Sequence, residues 1–327
     1  MTPLFGHETA VATFRDGLDS GRLHHAWLIS GPEGVGKASF ALKAATYVLA
    51  SGAGPPVAGP GLDVPDDHPT ACLVAAGSHP DLLRLERLEK DNGELARNIS
   101  VAQVRGLHRL FDTTASFSPW RAVIVDSADD LEPSAANALL KSLEEPPANS
   151  LFLLVSHSPD RLLPTIRSRC RQLRLSRLPD DAMASSLRGA LRDSSEAEIA
   201  ALIASGEGSP GRAIAFRGLD VEGLDRTMRE LAGDGDPTNA RRSQLAQALS
   251  LKAAQPRYEA FLARAPSFIA AVAKERRGAA LAEALRHWQR ASELAGSATR
   301  LSLDPQSVVF ELATMVAALA PEGRAAR

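Results

Sequence analysis

The decapeptide GPEGVGKASF, residues 31–40, carries the G-x-x-x-x-G-K frame of a phosphate-binding loop in Gly31, Gly36 and Lys37, with Ala38 where Ser or Thr would complete it. AWLIS (26–30) precedes it and reads as a buried strand, and KASFALKAATYVLA (37–50) follows it and reads as a helix. Strand, glycine-rich loop and helix N-terminus is the order the motif needs. Gly31, Gly34 and Gly36 let backbone N–H groups converge on phosphate oxygens, the helix dipole favours the anion, and Lys37 neutralises phosphate charge. The plain alternative is a βα turn with no ligand.

Outward from the loop, the first half alternates apolar runs with helical patterns, the rhythm of a parallel α/β sheet. RAVIVDSADD (121–130) is a buried strand ending in acids, and LFLLVS (151–156) and RQLRLS (171–176) complete the strand series. ISVAQVRGLHRLF (99–111) is a helix with Val101, Val104, Leu107 and Leu110 on one face, and PSAANALLKSLEEPP (133–147) is a helix stopped by Pro146. The Gly/Pro-rich stretch 51–69 is a loop. Beyond residue 177 the strand signal ends. Three short helices are expected over 179–216, then an all-helical region with breaks near 233–237, Pro256, Pro266, Gly296 and Pro305, and a closing PEGRAAR (321–327) that should fray.

The 327 residues suffice for two or three domains, with 44% hydrophobic and 23% charged residues, an ordinary globular composition. A formal net charge of −2 argues against gripping nucleic acid by bulk electrostatics. No apolar run reaches the roughly 18 residues of a membrane span, and the Met1 region lacks the pattern of a signal peptide. A cytoplasmic protein is expected. Cys72 and Cys170 are the only cysteines and lie far apart, which excludes a disulfide framework and a cysteine-rich zinc site.

Two parts of a hydrolytic site are missing together. Ala38 has no hydroxyl for Mg²⁺, and Ser39 is rotated about 100° around the helix from it. Asp126, at the tip of AVIVD, suits a carboxylate that organises Mg²⁺, but Ser127 stands where a Glu would polarise the attacking water. Asp129 and Asp130 are expected to begin the next helix. The loop can still hold ATP weakly, while Mg²⁺ binding is in doubt. His24 and His25 are read as packing or exposed residues.

GPEGVGKAS, IVDSADDLEPSAANALLKSLEEPP and SHSPDRLLPTIRSRCR, in this order and spacing, resemble the bacterial clamp-loader branch of the AAA+ ATPases over roughly residues 1–217. Ala38, Ser127 and HPDLLRLE (79–86) resemble its non-motor, stator subunit rather than its motor subunit. The resemblance implies an AAA+ core with a parallel sheet over 1–176, a small helical lid over 177–217 and an all-helical collar over 218–327. It implies a ring shared with motor (gamma/tau) and delta subunits that acts on a sliding clamp and primed DNA, with no membrane partner. It places an arginine finger at Arg169, aimed at a neighbour's ATP, where a planar guanidinium forks onto phosphate oxygens. Ser156 or His157 matches the first sensor region, and Arg212 in SPGRA the second; a solvent-facing strand end and a helix-start Arg without a ligand are the rival readings. Many family members carry a cysteine-ligated zinc module in the region of 51–80, where this chain offers only Cys72, His68 and His79, so no zinc is expected. Two other functions fit parts of the sequence: a working AAA+ ATPase, motor subunit or branch-migration helicase, and a P-loop phosphotransferase.

Overall fold

The computed structural model describes residues 4–321 apart from 60, 92, 94, 113–115, 299 and 300, and the chain divides into two compact units, residues 1–214 and 215–327. The C-terminal residues 322–327, expected to fray, lie outside the described residues.

The first unit is built on five parallel strands: β1 Ala26–Ser30, β2 Leu82–Glu86, β3 Arg121–Asp126, β4 Ser150–Ser156 and β5 Arg171–Arg174. Their order is β2-β3-β4-β1-β5, with Ala26 beside Phe152 and Trp27 beside Arg171. β1 and β4 are buried throughout, as a parallel sheet covered on both faces requires. Alternation then splits them between two cores. Trp27, Ile29, Leu151, Leu153 and Val155 pack with Phe14 of α1 (Glu8–Asp19) and with Phe40, Ala44 and Val48 of α2 (Lys37–Gly52). Ala26, Leu28, Phe152 and Leu154 pack on the other face with α4 (Val101–Arg105), α5 (Leu107–Asp112), α6 (Pro133–Glu144) and α7 (Pro164–Arg167).

α3 (Pro69–Ala75) follows the 51–69 loop. After β5 come α8 (Asp180–Ala190), α9 (Glu196–Gly206) and α10 (Pro210–Ala215), the three short helices expected beyond residue 177. Met183, Leu187, Ile199, Leu202 and Ala213 join the same apolar cluster as Trp27 and Phe40, so these helices belong to the compact body of the first unit.

Several elements differ from expectation. β2 was not foreseen: in LLRLE the charged Arg84 and Glu86 alternate with apolar residues because this is the sheet's edge, and the two charges pair at 2.9 Å. The 99–111 helix is two helices separated at Gly106, whose amide is shared between the Ala102 and Gln103 carbonyls. In the second unit Pro266 does not interrupt its helix.

That unit is a bundle of α11 (Val221–Asp234), α12 (Ala240–Ser250), α13 (Gln255–Lys274), α14 (Gly278–Ala298) and α15 (Pro305–Ala317). α13 runs through Pro266 because Phe261, Leu262, Ala265, Ile269 and Ala273 are buried along one face. Tertiary packing outweighs the roughly 3 kcal/mol that an interior proline costs. Gly296 likewise lies inside α14, whereas Pro256 and Pro305 sit in the first turns of α13 and α15, where a missing N–H costs nothing. Among the described residues no helix is long and apolar enough to cross a membrane.

The HPD stretch at 79–81 has a structural task. The buried Asp81 carboxylate accepts the amides of Ser116, Phe117 and Ser118 at 3.0, 2.9 and 3.0 Å, fixing the loop that leads into β3. Burial pushes its pKa up, but the three amides outweigh burial and hold it below the ordinary 3.8. The stability Asp81 supplies is therefore present above 3.8 and lost as pH falls from there through the lowered folded value. Asp81→Asn should destabilise the first unit by about 1–3 kcal/mol at pH 7 and flatten its acid sensitivity, measured by urea denaturation at pH 7 and pH 3.

Candidate functional site

The loop after β1 and the tips of β3 and β4 lie at the C-terminal ends of their strands, where ligands bind in open α/β folds, whereas Arg169 precedes β5 at its N-terminal end. The loop after β1 is shaped by its glycines. Gly31 adopts φ +148° and passes so close to the Leu175 carbonyl that no Cβ would fit. Gly34, at φ +72°, meets the start of α10: its carbonyl accepts the Gly211 amide at 2.8 Å, and a Cβ on it would lie 2.6 Å from the Arg212 nitrogen. Gly36 caps α2 in the left-handed conformation. His7, just ahead of α1, is buried and donates from Nε2 to the Val35 carbonyl at 2.9 Å.

Lys37 opens α2 but folds back over the loop. Its ammonium donates to the carbonyls of Gly31 and Pro32, both at 2.7 Å, and the residue is only 3% exposed. Burial lowers its pKa to about 8 against the opposing pull of Glu33, Asp129 and Asp126. Lys37 is thus held on its own loop, and the start of α10 closes over Gly34. The Arg212 guanidinium bonds the Glu207 carboxylate at 3.0 Å, and Arg177 meets the same carboxylate at 3.1 Å.

At the tips of β3 and β4 a different residue does the joining. Asp129 lies in a single 3-10 turn, Ala128–Asp130, ahead of α6, rather than in the next helix. Its carboxylate accepts the Ser127 and Ser156 hydroxyls at 2.9 and 3.0 Å and the His157 and Ser158 amides at 2.6 and 3.2 Å. Ser127 and Ser156 are therefore spent on tying one strand tip to the next. Asp126 sits beside Glu86 in register and, with Ser127, Asp130 and His157, lines a cleft of about 500 Å³. Burial pushes the Asp130 carboxyl above its ordinary range, with Arg87 pulling the other way. An acid-rich cleft beside the strand tips opposes a polyphosphate unless cations accompany it.

Arg169 stands apart from these groups, on the turn between α7 and β5. Ile166 and Cys170 are buried on either side of it, in the cluster that holds Leu139 and Leu143 of α6. Its guanidinium donates to the Thr165 carbonyl at 2.9 Å and pairs with Glu144, the last residue of α6, at 2.7 Å. The side chain remains 34% exposed. His25 donates to the Leu143 carbonyl at 3.1 Å and His24 stacks on it at 4.5 Å between ring centroids, so both serve the structure around the start of β1 and the end of α6.

The residues considered for zinc are engaged separately. His68 accepts the Thr70 amide on Nδ1 and donates from Nε2 to the Pro55 carbonyl, the Cys72 thiol donates to the Asp66 carbonyl, and His79 accepts the Asp81 amide. Among the described residues no three His, Cys, Asp or Glu side chains converge on one point. This donor set does not fit a structural zinc.

Asp129, Glu144, Glu207 and His7 were not picked out from the sequence as site residues. Serines at 127, 156 and 158, all flanking predicted strand ends, were the available signal for Asp129; nothing in the pattern marked His7.

A parallel sheet with a phosphate-loop frame after its interior strand β1, and the start of α10 closing over that loop, defines an α/β protein of the P-loop kind. Residues 6–179 match the family described as DNA polymerase III, delta subunit, and the chain belongs to that family. It is 39% identical over 199 residues to the DNA polymerase III subunit delta' of Pseudomonas aeruginosa, covering 60% of this chain and 57% of that one. It is 34% identical over 227 residues to subunit delta' of Escherichia coli K12, covering 69% of this chain and 63% of the relative. The tau subunit of Escherichia coli is 32% identical over 184 residues, 53% of this chain and 25% of that one. The chain therefore spans about 57% to 63% of the length of these two delta' relatives.

The contact of α10 on the loop is directly testable. Gly34→Ala puts a side chain into the space of the Arg212 amide at a positive φ, so the Gly34–Gly211 bond should break locally. Hydrogen exchange at the Gly211 amide should accelerate by about tenfold or more, while the β1 and β4 amides stay protected.

Proposed function

We propose that this chain is a non-motor, delta-prime-type subunit of a cytoplasmic DNA polymerase III clamp loader, a stator that completes a neighbour's ATP site and hydrolyses little or no ATP itself. The observation that carries the reading is the contrast between its two phosphate-directed cations. Lys37 is buried and bound to its own loop, while Arg169 is held on an ordered turn and a third exposed. The absent hydroxyl at Ala38, the engagement of Ser127 with Asp129 and the lid backbone on Gly34 all support a site that does no hydrolysis of its own. In this reading Gly31, Gly34, Gly36, Lys37, Asp126 and Arg212 are the remains of a nucleotide site that holds ATP weakly, without well-placed Mg²⁺ and without a zinc module nearby.

The partners are motor (gamma/tau) and delta subunits, with the sliding clamp and primed DNA reached through the assembled ring. The core occupies 1–176, the lid 177–217 and the assembly collar 218–327. A working motor ATPase is the second reading, favoured by the intact Gly31–Gly36–Lys37 frame and by Asp126. A phosphotransferase needs a small-molecule acceptor pocket, and a helical bundle over the last hundred residues suits assembly better.

The purified chain should turn over ATP at background rate, unchanged by Lys37→Ala. Robust turnover that Lys37→Ala abolishes would make it a motor subunit.

In the complex assembled with motor and delta subunits, Arg169→Ala should preserve assembly but remove DNA-stimulated turnover at one site. A finger of this kind is worth roughly 10³ to 10⁵ in rate at its own site, so total turnover should fall by a fraction and clamp loading should slow. Arg169→Lys should not restore it, because a point charge cannot replace the planar fork. Normal loading by the Arg169→Ala complex would end the finger assignment.

A further inference from the structure

We infer that Glu144 is a positioning residue for Arg169: it holds the guanidinium poised at the surface and yields it to phosphate oxygens presented by another chain. The inference rests on the reading of Arg169 as a finger acting in trans.

The backbone under Arg169 is already fixed. Ile166 is fully buried and Cys170 nearly so, the Arg169 amide bonds the Ile166 carbonyl at 3.1 Å, and the Ser168 hydroxyl bonds the Thr165 carbonyl at 3.1 Å. Only the direction of a long side chain with about 2 kcal/mol of rotamer entropy remains open. Three groups settle it: the Thr165 carbonyl at 2.9 Å and the Ser168 hydroxyl, more distant at 3.5 Å, on one terminal nitrogen, and Glu144 Oε1 on the other at 2.7 Å. Glu144 is itself rigidly based. It follows the buried Leu143, whose carbonyl His25 holds, and the Glu145 amide closes the helix end on the Lys141 carbonyl.

The pair is 34% and 47% exposed, so it orders the side chain without trapping it. An exposed ion pair of this sort contributes little to stability. Fork-like hydrogen bonds from a guanidinium to phosphate are stronger and displace it readily. Holding the fork near its working direction beforehand removes part of the ordering cost from the reaction step. The neighbouring Glu145 makes no ion pair with Arg169 among the described residues, so it supplies a matched control of equal charge one position away.

The experiment compares Glu144→Ala, Glu144→Gln, Glu145→Ala, Arg169→Ala and the Arg169→Ala/Glu144→Ala double variant in the assembled clamp loader, with the thermal midpoint of each chain measured alone. Glu144→Ala should lower kcat of the Arg169-dependent share of DNA-stimulated turnover about threefold to tenfold, a coupling of the size contacting residues show, with KM unchanged. Glu144→Gln, which keeps an acceptor, should recover part of that loss, and Glu145→Ala should have no effect. The double variant should be no slower than Arg169→Ala alone. If Arg169→Ala slows turnover but Glu144→Ala does not, or if the two losses multiply, the role of Glu144 is overturned while the finger stands. If Arg169→Ala changes nothing, the finger fails and the role of Glu144 with it.

Discussion

A parallel sheet must be covered on both faces, and that constraint organises the first unit. β1 and β4 are buried end to end, so each successive side chain feeds one of two cores, and α1, α2 and α4 to α7 are committed to closing them. Only the strand tips remain for chemistry. The loop after β1, the tips of β3 and β4 and the turn before β5 consequently carry every residue of interest on the sheet, on backbone that the packed layers hold still.

At those tips, groups that could serve a nucleotide are largely turned inward. Lys37 satisfies two carbonyls of its own loop, Ser127 and Ser156 satisfy Asp129, and Arg212 meets Glu207. Each such bond satisfies a polar group that burial would otherwise make costly, each within its own loop, pair of strand tips or lid, and the Gly211 amide on the Gly34 carbonyl joins lid to loop. Arg169 follows the opposite logic: its flanking residues are buried while its charge stays at the surface.

Much of this was legible in the residues. Continuous apolar runs marked β1, β3 and β4 because central parallel strands have no polar face to show, and the glycine frame marked the loop because the backbone must bend there. β2 was missed for the same reason inverted, since an edge strand carrying Arg84 and Glu86 has no such run. The Ser-Arg-Cys tripeptide and the run ending in Glu-Glu-Pro-Pro stood out separately. Their connection, Arg169 on Glu144, became visible only in three dimensions.

The sequence by itself determined the local order of strand, loop and helix, the all-helical second half and the missing hydroxyl and carboxylate at Ala38 and Ser127. These follow from side-chain periodicity, backbone freedom and functional-group inventory, all of which are properties of short stretches. Tertiary structure decided the strand order β2-β3-β4-β1-β5, the survival of α13 across Pro266, the occupation of Lys37 by carbonyls, the closing of Gly211 on Gly34 and the partner of Arg169. The strand order and the contacts at Gly34 and Arg169 join residues far apart in the chain. Lys37 and Pro266 lie close to the groups in question, but whether an ammonium turns back on its loop or a proline stays in its helix depends on the packing around it.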